Sequence, residues 1–406
     1  MPIEITVPGS KSLTNRALML ATLGNKKVDI KNFVECDDTK FMIRGLKKLK
    51  NSNKEPIKIY TGNAGTTTRF LTASSTLLGK KVIIDGDKRM RKRPVKELTN
   101  ALNKLGAKIE TTEGCPPLTI YPQKFNGGKI NLKGNISSQY ISAIIMIAPF
   151  AENDTTVNLV QQVYSTPYIN MTIKVMNEFG LKILNKNFKQ LSIKGNQTPK
   201  PPKSYNVESD ASSASYFGAY TALHPECTIT LKNLHKNSLQ GDIDFLKYLK
   251  KMGCQIYESK NGITIKGTKS LNPLKTINMN KTPDLVMTFA VLAMFTKGIT
   301  KITNISNLRI KETDRISALK NEIGKFGIKV KTGKDFIKIE GKPDLSKNPP
   351  NKKISIKTYN DHRIAMSFGI IKDIFPKINI ANPECVSKSY PNFWRDLKTV
   401  QKSCKK

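Results

Sequence analysis

Four segments of this chain repeat one pattern of apolar and polar positions. Each begins as an amphipathic helix that ends in apolar-Gly-x-x-apolar, and continues as a short alternating strand, a polar turn and a second strand. The segments are ALNKLGAKIETTEGCPPLTIYP from Ala101, VMNEFGLKILNKNFKQLSIKG from Val175, YLKKMGCQIYESKNGITIKG from Tyr248 and EIGKFGIKVKTGKDFIKIEG from Glu322. The pattern predicts a helix followed by a β-hairpin at four places.

A glycine ends each of these predicted helices. The glycines are Gly106, Gly180, Gly253 and Gly327, at intervals of 74, 73 and 74 residues. The residue that follows a helix commonly takes a positive φ, where a Cβ atom would clash, so we expect a positive φ at each. Solenoid repeats are about 20–50 residues long, and this longer interval predicts a small α/β subdomain used repeatedly. The 406 residues hold between five and six copies, most simply arranged as two domains of three.

The boundary between these domains is best placed in TPKPPKSYNVESDASSASYFGAY. Pro201 and Pro202 interrupt the chain there before a new helix. The loop-rich segment PGSKS near the start of the sequence is the other candidate for a crossing between domains.

Composition limits the class of protein. The chain is 38% hydrophobic and 24% charged, as in an ordinary globular protein. No apolar run approaches the roughly 18–20 residues of a membrane span, and MPIEITVPGSKS lacks the apolar core of a signal peptide. We therefore expect a cytoplasmic protein without a membrane partner.

The net charge of +37 raises the alternative of a nucleic-acid-binding protein, whose affinity for polyanions would fall steeply with salt. However, 58 of the 68 basic residues are lysines spread along the whole chain, and aromatic residues make up only 7%. A general Lys/Asn/Ile bias explains this surplus better than a nucleic-acid-binding face. The six cysteines and three histidines show neither zinc-ligand spacing nor a disulfide framework, so we expect reduced thiols and no metal.

Motifs in the first half place small, hydroxyl and cationic residues at the start of apolar-periodic helices. PGSKSLTNRALMLATL presents Lys11, Ser12 and Arg16, and TGNAGTTTRFLTA presents Gly65 before Arg69. Free N–H groups at a helix start, together with a cation and a hydroxyl, form an anion site. The alternative for each segment is an ordinary helix cap or glycine turn without a ligand.

Arginine is concentrated in DGDKRMRKRPVKEL, which holds Arg89, Arg91 and Arg93 in a chain that otherwise uses lysine. A planar guanidinium grips phosphate or carboxylate with two hydrogen bonds, so this loop is either an anion clamp or a solvated basic loop. Further on, GNISSQYISAIIMIAP and VYSTPYINMT hold polar residues beside helix starts, either as caps or as phosphate ligands. They are Ser137, Ser138, Gln139, Ser165 and Tyr168.

The second half carries dense charge in four further motifs. NLRIKETDRISALK and YNDHRIAMSFGI combine arginines with carboxylates, MNKTPDLVMTFAVLAMF places a carboxylate before a long apolar helix, and CVSKSYPNFW adds a lysine. A surface helix laced with salt bridges would show the same density of charge as a binding site. The residues concerned are Asp284, Arg309, Lys311, Glu312, Asp314, Arg315, Asp361, His362, Arg363 and Lys388.

Taken in order, GSKSLTNRALMLA, GNAGTTTR, RMRKRP, ISSQY, SDASSASYF, PDLVMT, NLRIKETDR, NDHRIAMS and CVSKSYP resemble the motifs of the EPSP synthase family of enolpyruvyl transferases. The resemblance covers essentially the whole chain. It implies an α/β fold of two domains, each of three βαβαββ units, in the inside-out α/β barrel of that family. Residues 1–10 with 210–406 would form one domain and residues 11–209 the other, with the active site in the cleft between them.

The resemblance also implies a reaction. Such an enzyme is a transferase of the shikimate pathway, which leads to chorismate and the aromatic amino acids. It moves the enolpyruvyl group of phosphoenolpyruvate (PEP) to the 5-hydroxyl of shikimate 3-phosphate and releases phosphate, as a monomer that needs no metal and no cofactor. A sister family that acts on UDP-N-acetylglucosamine is the nearest alternative, but the reactive cysteine of its loop is missing from DGDKRMRKRP.

Residues carried over from the family's motifs form two overlapping binding sets. The implied ligands of shikimate 3-phosphate are Lys11, Ser12, Arg16, Ser137, Ser138, Gln139, Ser165, Tyr168, Asp284, Asn307 and Lys311. The implied ligands of PEP are Lys11, Gly65, Arg89, Gln139, Arg315, Arg363 and Lys388. In catalysis the implied base is Asp284, assisted by Lys311, while Glu312 delivers a proton to C3 and Lys11 lies between the substrates.

Overall fold

The computed structural model describes residues 2–404 and shows a mixed α/β protein. The chain forms two compact units, one of Met1–Pro8 with Glu208–Lys406 and the other of Gly9–Val207. The start of the chain therefore belongs with the second half of the sequence. Along residues 2–404, no helix has the length and the apolar character that crossing a membrane requires.

Helices and strands alternate along the described residues. The α-helices are α1 (Lys11–Leu23), α2 (Asp37–Asn51), α3 (Gly65–Ser75), α4 (Lys96–Lys104), α5 (Ser138–Ile147), α6 (Thr166–Glu178), α7 (Ala211–Leu223), α8 (Phe245–Lys251), α9 (Val286–Ala293), α10 (Arg315–Gly324), α11 (His362–Gly369) and α12 (Phe393–Cys404). The strands are β1 (Ile3–Ile5), β2 (Asp29–Lys31), β3 (Ile57–Tyr60), β4 (Val82–Asp85), β5 (Lys108–Thr112), β6 (Cys115–Tyr121), β7 (Gly128–Lys133), β8 (Thr155–Val160), β9 (Leu184–Lys186), β10 (Gln190–Ile193), β11 (Ser204–Asn206), β12 (Thr228–Lys232), β13 (Gln255–Ser259), β14 (Gly262–Lys266), β15 (Thr276–Asn278), β16 (Gly298–Thr303), β17 (Lys329–Thr332), β18 (Phe336–Gly341), β19 (Ile354–Lys357) and β20 (Ile378–Ala381). Short 3-10 helices lie at Met90–Lys92, Ala148–Phe150, Gly241–Asp244, Pro283–Leu285, Ser306–Ile310 and Pro383–Lys388.

Four sheets share one strand order, in which two parallel strands are followed by an antiparallel hairpin. The orders are β3-β4-β6-β5 and β7-β8-β10-β9 in the Gly9–Val207 unit, and β1-β12-β14-β13 and β15-β16-β18-β17 in the other unit. The hairpins β5–β6, β9–β10, β13–β14 and β17–β18 are the four that the repeated pattern predicts. The predicted repeat is therefore confirmed.

The glycines that end the predicted helices all have a positive φ. The angles are 104° at Gly106, 77° at Gly180, 107° at Gly253 and 70° at Gly327. This confirms the reason for glycine at these positions, because a side chain is strained in that conformation.

Each unit also contains one abbreviated copy of the repeat. In the Gly9–Val207 unit, β2 and β11 form a parallel pair, and in the other unit β19 and β20 do the same. No closing hairpin follows α2, since only residues 52–56 separate this helix from β3 and they are too few to form two strands. The abbreviated copies explain why only four of the six repeats stand out in the sequence.

Three of the helices that begin at the sequence motifs are fully buried. All residues of α3, α9 and α11 are buried. These helices pack in the interior on all sides, whereas an amphipathic helix such as α12 covers the core with one face. The polar residues at the starts of the inner helices are therefore held on rigid, fully packed elements.

Cys227 and Cys404 form a disulfide, so the expectation of reduced thiols is wrong for this pair. Their Cα atoms lie 5.1 Å apart, within the range of protein disulfides. The residues are separated by 177 positions in the sequence, which is why their spacing gave no signal. The bond ties the end of α12 to the residue before β12, whereas Cys36, Cys115, Cys254 and Cys385 are free.

Reducing this disulfide is expected to lower the free energy of unfolding by roughly 2–4 kcal/mol, because the crosslink restricts the unfolded chain. Trp394 is the single tryptophan and lies in α12, so its fluorescence follows the unfolding of this unit. Urea unfolding with and without dithiothreitol measures the effect. The unfolding of C404S should not change with dithiothreitol. If dithiothreitol lowers the stability of the native protein and of C404S equally, the prediction is contradicted.

Candidate active-site residues

The motifs of the Gly9–Val207 unit lie at helix starts. Lys11 is the first residue of α1, Gly65 of α3 and Ser138 of α5, and Ser165 is the N-cap of α6. Helix starts present unbonded N–H groups and the positive end of the helix dipole, which together favour an anion. Two of the starts are joined directly, since Gln139 Nε2 donates to Thr66 Oγ1 at 3.1 Å.

Lys11 is held by a carboxylate that sequence reasoning missed. Its Nζ lies 2.8 Å from Oδ2 of Asp38, and the two side chains are 14% and 4% exposed. Asp38 is held in turn from α3, because Thr67 Oγ1 donates to its backbone carbonyl at 2.9 Å. The ammonium group of Lys11 is therefore held beside the start of α1 by the second residue of α2.

Arg16 is buried and bonded to the surrounding helices. Its Nε donates to Thr172 Oγ1 at 2.7 Å and its Nη2 to the Tyr168 carbonyl at 3.2 Å, while Nη1 donates to the Ser12 carbonyl at 2.8 Å. Burial lowers the pKa of Arg16 to about 10, so the side chain stays charged at neutral pH. The structure thus gives Arg16 a role in joining α1 to α6, in addition to its predicted contact with phosphate.

Gly65 leaves space for two arginines. A Cβ atom at this position would lie 2.5 Å from Arg93 Nη2 and 2.6 Å from Arg69 Nη1. Arg69 donates to the Gly65 carbonyl at 2.9 Å, and Arg93 donates to both the carbonyl and the side chain of Asn63. A side chain at this position would therefore displace the guanidinium groups of Arg69 and Arg93.

The arginines of the arginine-rich loop differ in how far they are buried. Arg91 is exposed and pairs with Asp85, with Nε 3.0 Å from Oδ1, whereas Arg93 is 3% exposed. Arg89 is partly buried and directly precedes the 3-10 helix Met90–Lys92. The family resemblance implies Arg89 as the ligand of this loop, and the fold places Arg93 beside Gly65.

Among the predicted ligands that carry a hydroxyl group, one caps a helix and another has a strained backbone conformation. Ser137 is the N-cap of α5 and accepts a hydrogen bond from the Gln139 N–H, and Ser138 is buried. Ser165 has a left-handed backbone at φ 57° and is 4% exposed. Such strain in a non-glycine residue is typical of ligand sites. Tyr168 follows in the first turn of α6.

The second group of predicted residues surrounds a buried guanidinium in the other unit. Arg315 is 1% exposed and contacts three carboxylates. Its Nε lies 2.8 Å from Asp361 Oδ2, its Nη1 3.1 Å from Asp284 Oδ1 and its Nη2 2.9 Å from Glu312 Oε2. We call the Arg315 cluster the group formed by Asp284, Lys311, Glu312, Arg315, Asp361, Arg363 and Lys388.

Arg363 completes the grip on Asp284. Its Nη2 lies 2.7 Å from Asp284 Oδ2, and its Nη1 donates to the Tyr216 hydroxyl at 3.3 Å. The backbone N–H of Arg363 donates to Asp361, the N-cap of α11, at 2.9 Å. Asp361 therefore fixes both arginines, and sequence reasoning noted its motif without assigning it to the site.

The charge state of Asp284 follows from these contacts. Burial alone would raise the pKa of Asp284, but the positive charges of Arg363, Arg315 and Lys311 hold this pKa well below its usual range. The carboxylate is therefore firmly ionised and a weak base while both arginines contact it. In contrast, burial raises the pKa of Tyr216 to about 12, so the hydroxyl beside Arg363 remains neutral.

Two further predicted residues stand beside this cluster. Lys388 Nζ lies 3.9 Å from Glu312 Oε1, and both side chains are about nine-tenths buried. Asn307, in the 3-10 helix Ser306–Ile310, is 6% exposed, and its Oδ1 accepts no hydrogen bond from residues 2–404. A buried acceptor without a partner suits a ligand that brings a hydroxyl group. Within the same residues, no three His, Cys, Asp or Glu side chains are grouped as metal ligands.

Comparison with known proteins shows what the whole chain is similar to. The family model of EPSP synthase (3-phosphoshikimate 1-carboxyvinyltransferase) matches residues 2–397. The chain is 42% identical to a 3-phosphoshikimate 1-carboxyvinyltransferase of Buchnera aphidicola subsp. Cinara cedri (strain Cc), over 98% of this chain and 94% of that protein. It is 39% identical to one of Haemophilus influenzae (strain PittEE), over 98% and 96%. A solved structure of EPSP synthase from Acinetobacter baumannii matches with a TM-score of 0.76 at 25% identity, over 98% of this chain and 95% of that chain.

Proposed function

The chain belongs to the EPSP synthase (3-phosphoshikimate 1-carboxyvinyltransferase) family, and from this premise we propose that it transfers the enolpyruvyl group of PEP to the 5-hydroxyl of shikimate 3-phosphate. The products are 5-enolpyruvylshikimate 3-phosphate and phosphate. The observation that carries this proposal is the Arg315 cluster, because it holds buried arginines in direct contact with the carboxylates of Asp284 and Glu312. The family match favours shikimate 3-phosphate, and the UDP-N-acetylglucosamine alternative has no support.

Both substrates are anions with a phosphate and a carboxylate, which accounts for the chemistry of the two groups of residues. We assign PEP to cations that can bind it with two hydrogen bonds and to backbone at helix starts. These residues are Lys11, Gly65, Arg89, Gln139, Arg315, Arg363 and Lys388. The assigned residues come from both units, and we propose that these units are the two domains of the enzyme.

Shikimate 3-phosphate is assigned to hydroxyl and amide groups as well as cations. Its phosphate would be bound by the serines at the starts of α5 and α6 and by the adjacent cations, and its ring hydroxyls by Asp284 and Asn307. The full set is Lys11, Ser12, Arg16, Ser137, Ser138, Gln139, Ser165, Tyr168, Asp284, Asn307 and Lys311. The unpartnered Oδ1 of Asn307 supports this, since a ring hydroxyl would satisfy it.

The first step forms a bond between the 5-oxygen and C2 of PEP. Asp284, assisted by Lys311, takes the hydroxyl proton as this bond forms. When PEP draws Arg363 and Arg315 toward its own charges, their hold on Asp284 weakens and its pKa rises, which makes the carboxylate a better base. The low pKa of Asp284 is therefore a property of the free protein, before PEP binds.

The second proton transfer occurs at C3 of PEP. Protonated Glu312 delivers a proton to the methylene, which gives the tetrahedral intermediate. The bond from C2 to the phosphate oxygen then breaks, C3 returns a proton to Glu312 as the double bond is restored, and the proton held by Asp284 leaves with phosphate. Glu312 lies between Arg315 and Lys388, whose charges stabilise the leaving phosphate. Every proton in this scheme moves between substrate and a side chain of the chain itself.

A phosphate-release assay tests the proposed function. The purified chain should release phosphate only when PEP and shikimate 3-phosphate are both present, with each substrate alone as the control. Absence of phosphate with both substrates would refute the proposal. UDP-N-acetylglucosamine in place of shikimate 3-phosphate should give no phosphate.

We also propose that the enzyme acts as a cytoplasmic monomer without a nucleic-acid or membrane partner. The support against a nucleic-acid partner is that 58 lysines are spread along the whole chain. The functional cations are instead a small buried subset such as Arg315, Arg363 and Lys388.

A further inference from the structure

Glu322 is a buried carboxylate that the proposed mechanism does not use. It lies in α10, the helix that begins with Arg315, and its side chain is 1% exposed. Its Oε1 accepts a hydrogen bond from the Tyr359 hydroxyl at 2.8 Å, and its Oε2 accepts from the backbone N–H of Lys357 at 3.0 Å. Lys325 Nζ donates to the same Oε2 at 2.5 Å. Glu322 therefore joins α10 to the end of β19 and to the residues that follow this strand.

Glu322 and the nearby Lys325 bond to one edge of β19. The other edge pairs with β20, and the N–H of Ile354 donates to the residue before β20 at 3.3 Å. Backbone groups of successive residues in a strand point to opposite edges, so those of Ser355 and Lys357 face away from β20. Lys325 Nζ donates to the Ser355 carbonyl at 2.7 Å, and Glu322 accepts from the N–H of Lys357. The two side chains thus bond to this edge as a third strand would.

Two residues with a left-handed backbone lie between β19 and the Arg315 cluster. Tyr359 and Asn360, which we call the left-handed turn, both have a φ of 55°. Residues other than glycine seldom adopt this conformation, and it persists only where the surrounding contacts determine it. The next residue is Asp361, whose carboxylate lies 2.8 Å from Arg315 Nε and accepts from the N–H of Arg363 at 2.9 Å. The left-handed turn therefore sets the position of the carboxylate that contacts both arginines.

Side chains of α10 hold the left-handed turn at two points along the chain. Glu322 bonds to the hydroxyl of Tyr359, within the turn, and Arg315 bonds to Asp361, directly after it. Arg315 and Glu322 are seven residues apart, close to two helical turns, so they lie on the same face of α10. A third contact comes from β20, because Thr358 Oγ1 donates to the carbonyl at the end of this strand at 2.9 Å. Of these three contacts, that of Glu322 is the one made with the turn itself.

We propose that Glu322 is a positioning residue for PEP, which fixes the left-handed turn and through it Asp361. Asp361 in turn orients the guanidinium groups of Arg315 and Arg363. The inference rests on the proposed function, which assigns PEP to these two arginines. A guanidinium binds a carboxylate or phosphate with two parallel hydrogen bonds only when its plane is correctly oriented. A small displacement of Asp361 therefore weakens the binding of PEP, although Glu322 itself does not contact PEP.

Removing the hydroxyl of Tyr359 tests this inference, because Y359F keeps the ring and leaves Glu322 bonded to Lys357 and Lys325. We expect KM for PEP to rise about tenfold, the factor that the loss of one hydrogen bond to a charged group produces. KM for shikimate 3-phosphate should stay close to its native value, since most of its assigned residues lie in the Gly9–Val207 unit. Phosphate release with one substrate saturating and the other varied measures each constant.

Two further variants accompany Y359F. E322Q keeps the shape of the side chain but has one acceptor oxygen in place of two, so it should raise KM for PEP by at least the same factor. The matched control is Y220F, because Tyr220 lies in the same unit and its hydroxyl also donates to a carboxylate at 2.8 Å, that of Asp373. Y220F should keep the native KM for PEP whatever its effect on stability. The urea midpoint, followed at Trp394, shows whether each variant is folded under assay conditions.

A selective rise in KM for PEP separates positioning from a merely structural role. A structural role would lower the urea midpoint of Y359F and leave KM for PEP unchanged. A folded Y359F or E322Q with the native KM for PEP overturns the inference, and so does an equal rise in KM for both substrates. If E322Q does not fold, Y359F decides the question on its own. If the native chain releases no phosphate with both substrates present, the proposed function itself fails and the inference falls with it.

Discussion

Replacing Arg315 by methionine is expected to lower the free energy of unfolding of its unit by about 3–5 kcal/mol. Methionine preserves much of the volume but removes the guanidinium that contacts Asp361, Asp284 and Glu312. Asp361 is 0% exposed, so its charge would be left buried among fewer partners. The cost of an uncompensated buried charge exceeds that of most single substitutions.

Urea unfolding followed by the fluorescence of Trp394 measures this loss, because Trp394 lies in the same unit as Arg315. The matched control is R395M, which removes an arginine that is 71% exposed in its side chain and pairs only with its neighbour Asp396 among the residues described. Exposed pairs contribute about 0–1 kcal/mol, so R395M should unfold close to the native midpoint. If R315M lowers the free energy of unfolding by less than about 1 kcal/mol, the three carboxylates do not need Arg315 to remain buried.

Replacing Asp284 by alanine is expected to lower kcat by about 100- to 10,000-fold, the usual contribution of a general base. The carboxylate contacts Arg315 and Arg363 at 3.1 and 2.7 Å, so no other oxygen in the cluster can take the same place between them. Phosphate release at saturating PEP and shikimate 3-phosphate measures kcat. We expect a smaller change in KM for PEP, since the arginines that bind it remain.

Two controls separate this loss from unfolding. D344A removes an exposed carboxylate that accepts a hydrogen bond from Asn348 and should keep the native kcat. The unfolding midpoint of D284A, followed at Trp394, shows whether the variant is folded under assay conditions. A folded D284A with more than a tenth of the native kcat would exclude Asp284 as the base and transfer the role to Lys311 or Glu312.

Much of the candidate site could be predicted from the sequence because its residues lie at the starts of helices. GSKS, GNAG, ISSQ and NDHR each place small or polar residues directly before an apolar run, and the structure begins α1, α3, α5 and α11 at or near these motifs. Helix starts are determined by nearby residues, so a single sequence is sufficient to find them. The roles of individual residues in PEP or shikimate 3-phosphate binding remain predictions.

The residues that sequence reasoning missed act through contacts made by distant parts of the chain. Asp38 meets Lys11 from a separation of 27 positions, and Asp361 meets Arg315 from 46. Spacing along the chain carries no information about such pairs.

By itself, the sequence determined the repeat, its four hairpins and the glycines with positive φ, because alternation of apolar residues and the steric limits on φ operate over a few neighbouring residues. Only the tertiary structure decided that β1 pairs with β12, that Cys227 meets Cys404 and that three carboxylates surround Arg315. These features depend on which buried surfaces pack together. Burial then sets which charges pair and which pKa values shift, and no local pattern of residues encodes that outcome.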